Sequence, residues 1–97
     1  MSKFDQAKML MQVKKVQKEL KKMVISVEKG DGAVTVDITG EQKIKNVSLD
    51  PDLIDFDDID ELEGWITEAV REAISESQRV ASEKMQPMMG SLGNLGL

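Results

Sequence analysis

Lys8, Lys14, Lys15, Lys18, Lys21 and Lys22 are the residues of this sequence best suited to do chemistry with a partner. At about 100° per residue their spacing gathers all six ammonium groups on one side of a helix. No acid falls on that arc, in a chain whose net charge is −5. Ordinary solvent faces mix signs, and a pure cationic ridge suits contacts to phosphate, which need charge more than base-specific geometry. Lysine in place of arginine points the same way, to point-charge contact with a backbone and not to bidentate reading of guanine. No aromatic residue interleaves the lysines from Lys8 to Lys22, so stacking on single strands is disfavoured and duplex DNA is the fitting ligand. The plainer reading is a solubilising face opposite an apolar stripe, which has the same spacing.

Other chemistry has little to stand on. The chain has no Cys and no His, which excludes disulfides, thiolate nucleophiles and histidine-based metal sites or general bases. Residues 50–63 hold eight acids (Asp50, Asp52, Asp55, Asp57, Asp58, Asp60, Glu61, Glu63) and no base. They lack the spacing of a calcium loop, because Asp50-Pro51-Asp52 is followed by Leu53. Gly30-Asp31-Gly32 is not a phosphate loop, since no Gly-Lys-Ser/Thr follows. No enzyme, cofactor, metal or small-molecule substrate is expected.

The elements that must position the ridge follow from periodicity. Met9, Val13, Val16, Leu20 and Met23 alternate steps of four and three, the apolar stripe of a first helix from Ser2 or Lys3 to Lys22. Phe4, Ala7 and Met11 interrupt the lysine side near its start, where the helix is expected to meet a partner in place of water. Val24–Glu28, Ala33–Ile38 and Lys43–Leu49 read as three strands of an antiparallel meander with one buried face. Gly30-Asp31-Gly32 and Thr39-Gly40-Glu41 are the turns, and the step from Ile44 to Val47 predicts a bulge. Asp58 with Glu61 predicts the capped start of a second helix from Ile59 to Met85, ended by Pro87. Its broad apolar arc includes Ile59, Leu62, Ile66, Ala69, Val70, Ala73, Ile74, Val80 and Ala81. Gly64 within it suggests a close approach by another backbone. Arg71, Arg79 and Lys84 fall on different sides of this helix, and Glu68, Glu72, Glu76 and Glu83 share a face with Trp65.

At 97 residues the chain has room for one domain, expected over residues 1–88, with a flexible Gly/Leu tail at 89–97. With two Phe, one Trp and seven Met the core is small and soft, which favours a homodimer that buries a second apolar face. No stretch approaches a membrane span, so the expectation is a soluble, cytoplasmic protein with no membrane partner.

The order of these pieces resembles the YbaB/EbfC family of nucleoid-associated proteins. The likeness rests on a basic first helix with Met11-Gln12 and Val16-Gln17-Lys18-Glu19-Leu20, then a glycine turn before Val34-Thr35-Val36. It continues through Val47-Ser48-Leu49-Asp50-Pro51, the helix from Leu62-Glu63 to Ala73, Ser82-Glu83-Lys84-Met85 and the Gly/Leu tail. The dense acidic block and Asp31 in the turn depart from the family pattern. The resemblance implies an α+β fold, an α-β-β-β-α protomer with a three-stranded meander flanked by two long helices, dimerising through its sheet. It also implies DNA binding and chromosome organisation in the bacterial nucleoid. The basic positions carry over to Lys8, Lys14, Lys15, Lys18, Lys21 and Lys22, with a weaker contribution from Arg79 and Lys84. The alternative is a protein-interaction module, in which the apolar arc, Trp65, Met88, Met89 and the tail hold a protein and the lysines serve only solubility.

Overall fold

A computed structural model describes the backbone of residues 3–93 and the side chains of residues 5–87. Helix α1 spans Lys3–Lys22, strands β1, β2 and β3 span Val24–Lys29, Val34–Thr39 and Ile44–Leu49, and helix α2 spans Ile59–Gly93. A single 3-10 turn, Pro51–Leu53, links β3 to α2. The strands form one antiparallel sheet in the order β1-β2-β3. The fold is the expected α+β arrangement, drawn out to 64 × 22 × 15 Å.

The alternation of the strands sets the core. Val27 pairs with Val36 and Ile25 with Ile38 on the face that α2 covers, where Ala69 and Ala73 are fully buried. These two alanines bring the helix close to the sheet, and Leu62, Trp65, Ile66, Val70 and Ile74 pack around them. The expected bulge is present: the register shifts between Asp37 and Ile38, with Asp37 opposite Asn46 and Ile38 opposite Ile44. The β1–β2 turn takes left-handed φ at Gly30, Asp31 and Gly32. A side chain at Gly30 would strike the Trp65 ring, with the nearest atom 2.7 Å from its Cβ. Asp58 Oδ1 accepts the Glu61 amide at 3.2 Å, which caps α2 as its sequence predicts.

Three expectations are corrected. The meander was expected to bury one face throughout, yet Ile44, Val47 and Leu49 are 43, 42 and 47% exposed. They lie on the core face opposite Ile38, Val36 and Val34, but α2 crosses only β1 and β2. With α2 seated over β1 and β2, β3 is left at the open edge of the sheet. Pro87 does not end α2, which continues to Gly93. Proline removes one helical donor and crowds the carbonyl of Glu83, and the helix formers Met85, Gln86, Met88 and Met89 on its two sides carry α2 past it. At Gly64 a Cβ would meet nothing within 4 Å, so no other backbone among the described residues of this chain approaches it closely. Residues 94–97 of the expected tail, Ser2 as a helix start, and the side chains of Phe4, Met88 and Met89 lie outside the described residues.

Candidate nucleic-acid interface

The lysine face is presented by the way α1 is anchored. Leu20 is buried, and Met9, Val13, Val16 and Met23 are half-buried on the side turned to α2 and the sheet. Lys8, Lys14, Lys15, Lys18, Lys21 and Lys22 are all exposed, and among the described residues none of the six enters an ion pair. Met11 stands out among them at 70% exposure and, with Lys14, Lys15 and Lys18, lines a shallow depression on the helix. Glu19 lies at the border of the face, beside Lys15, Lys18 and Lys22, and leans to α2, where Lys84 Nζ is 3.7 Å from its carboxylate.

The α2 candidates are differently placed. The Arg79 guanidinium donates to Glu76 at 2.9 Å and to Glu83 at 2.6 Å, so its charge is matched within its own helix. The Arg79 hydrogen bond, reinforced by its charge, holds the Glu76 carboxyl below its ordinary range, and the two acids hold Arg79 above its own. Lys84 shares its charge with Glu19. The acidic face of α2 is likewise partly neutralised, because Lys29 at the end of β1 meets Glu72 at 2.5 Å. That hydrogen bond, then the nearby charge, raises the Lys29 ammonium above its usual value.

The joint between both helices and the sheet is not evident from sequence. Ser77 on α2 is fully buried and its Oγ donates to the Thr39 carbonyl at 2.6 Å. The same oxygen accepts the Gln42 amide at 3.2 Å and Gln42 Nε2 at 3.0 Å. Gly40 donates its N–H to the Leu20 carbonyl at 2.8 Å, and a Cβ at Gly40 would lie 2.9 Å from that oxygen. The β2–β3 turn therefore grips the end of α1 and the middle of α2 at once. The available signal is the i, i+4 series Ala69, Ala73, Ser77, in which a small polar residue continues the most deeply buried line of the helix.

The sequence model of the YbaB/EbfC DNA-binding family matches residues 1–92. A nucleoid-associated protein of Chloroflexus aurantiacus is 33% identical over 84 residues, spanning 87% of this chain and 84% of that protein. Another, from Saccharopolyspora erythraea, is 38% identical over 86 residues, with 89 and 74% of the two chains covered. In fold, the chain is similar to the crystal structure of an uncharacterized protein from Helicobacter pylori. The TM-score is 0.76 at 14% identity, over 86% of this chain and 87% of the other. With the match running from the lysine helix through nearly all of α2, this chain belongs to the YbaB/EbfC DNA-binding family.

Proposed function

We propose that this protein is a nucleoid-associated homodimer that holds duplex DNA through phosphate contacts from the lysine face of α1, with low sequence specificity and no catalytic step. The observation that carries the reading is the set of six exposed, sign-pure lysines, in no ion pair among the described residues, on one side of a helix whose other side is anchored. Unpaired ammonium groups have no internal partner to surrender on meeting a phosphate, so the full release of counterions is available to binding. Arg79 and Lys84 are secondary contacts, since each first has to be shared with Glu76, Glu83 or Glu19.

Support for the homodimer comes from β3. It is an edge strand with Ile44, Val47 and Leu49 uncovered, and Leu53, Phe56 and Ile59 just after it are 46, 64 and 47% exposed. An edge strand carrying an open apolar face invites a second copy. Two ridges in one dimer would act on the same duplex at high effective concentration, which offsets modest attraction at each. The cellular setting of this reading is the nucleoid, in the cytoplasm. The partners are DNA and a second copy of the chain, with no membrane or small-molecule substrate.

Fluorescence anisotropy of a random-sequence duplex across several salt concentrations tests the proposal. Log affinity is expected to fall against log salt with a slope of about 4 or more, at about 0.9 per phosphate neutralised by the lysines of one ridge. No binding at low salt would overturn it in favour of a protein partner, for which retention of that partner after nuclease treatment is the matching observation.

A further inference from the structure

The lysine face is not uniform, and its internal order suggests how a helix of this kind meets DNA. Residues seven apart sit nearly above one another, drifting about 20° per step. Lys8, Lys15 and Lys22 therefore form one row along α1, and Lys14 and Lys21 form a second. Between them, about 40–60° from each, runs a third row that holds Met11 and Lys18, seven and fourteen residues after Phe4. Two cationic rails thus flank a central line that carries an exposed methionine between them. Met11 is on the opposite side from the apolar stripe, so folding of this chain does not account for it.

We infer that α1 lies in the major groove of duplex DNA, with its two lysine rails on the phosphates of the two strands and with Met11 and Lys18 against the base edges. The inference rests on the reading of α1 as the DNA-binding element. A helix with its side chains is about 10–12 Å across, which fits the ~12 Å major groove and not the ~6 Å minor groove. Rails set about 100° apart suit phosphates on both walls, whereas a helix lying across the outside of a backbone would need only one. The central row then faces the groove floor. A thioether has no charge to offer a phosphate, but it can leave water against the C5-methyl of thymine, the apolar feature of that floor. Lys18 beside it reaches the O6 and N7 acceptors of guanine. One apolar contact and one flexible cation give a mild preference for thymine on the floor, in keeping with low specificity overall.

The test compares an A·T-rich duplex with the same duplex carrying uracil in place of every thymine, which removes the major-groove methyls and leaves phosphates and minor groove in place. Anisotropy is measured at several salt concentrations for the wild-type protein and for Met11→Gln, which keeps side-chain length and helix propensity. Wild type is expected to bind the uracil duplex roughly fivefold more weakly, the low end of what a good base contact contributes. Met11→Gln should bind both duplexes alike, near the weaker wild-type value, with the salt slope unchanged because no phosphate contact is lost. Tight wild-type binding that is indifferent to uracil would overturn the groove geometry and leave the phosphate reading standing. Failure of wild type to bind either duplex at low salt would overturn both. Circular dichroism of Met11→Gln at the same concentrations separates a lost contact from a lost fold.

Discussion

Both long helices of this protein carry charge on the side away from the core, yet they use it in opposite ways. On α1 the six lysines opposite the apolar stripe are of one sign, and none of them enters an ion pair among the described residues. On α2 acids outnumber bases, and Arg79 is gripped by Glu76 and Glu83 while Glu72 is taken by Lys29. A count of basic residues would treat Arg79 as equal to Lys14. The pairing shows otherwise, because a cation already matched within its own helix has to break that match before it can serve an outside anion. The net charge of −5 conceals the same distinction, since the acids are concentrated at residues 50–63 and along α2, away from the lysine face.

The most damaging way to break this contrast is to reverse the sign on α1. Lys14→Glu with Lys18→Glu should lower duplex affinity by more than about a hundredfold at 0.1 M salt, while circular dichroism and sedimentation show a folded dimer. Unchanged affinity would remove the ridge from the mechanism. Next in size is Val47→Asp on the uncovered face of β3. It should leave the protomer folded, shift sedimentation from dimer to monomer, and weaken DNA binding roughly tenfold or more through lost bivalency.

Ser77→Ala attacks the joint that both helices share. It removes the three hydrogen bonds made by the buried Ser77 hydroxyl, while the Gln42 N–H and Nε2 keep the Thr39 and Gly40 carbonyls as partners, and is expected to cost about 0.5–1.5 kcal/mol in a denaturant titration. A smaller effect sharpens the comparison from the α2 side. Glu76→Gln with Glu83→Gln frees Arg79 and removes two negative charges, so DNA affinity should rise a few-fold, with the salt slope steeper by up to about one.

The smallest effect is one of pH. The Glu76 carboxyl is held below its ordinary 4.5 by Arg79, so the stability this pair supplies is present above that value and is lost as pH falls through the lowered one. The difference in melting temperature between wild type and Glu76→Gln should therefore shrink on acidification through that window. A difference that grew instead would mean the pair does not stabilise the fold.

Much of the molecule was legible one element at a time. The stripe from Met9 to Met23, the alternation of Val34, Val36 and Ile38, and the bulge near Ile44 depend on repeat periods that each segment carries by itself. The Asp58 cap on Glu61 spans only three residues. Other features were not legible, above all those that need two distant segments together. Pro87 looked like a helix stop because a lone proline disfavours a helix, yet α2 runs through it. The exposed state of β3 followed from where α2 crosses the sheet, which the pattern of Ile44, Val47 and Leu49 does not encode.

The sequence by itself determined the order of elements, the apolar faces, and the sign-pure lysine arc, because each is set by side-chain type and by backbone period within one segment. Only the tertiary structure decided which apolar residues are covered, which charges are matched, and that Ser77 and Gly40 join both helices to one turn. Those outcomes depend on the docking of one element against another. A residue's type limits what it can do there, but its neighbours across the fold decide what it does.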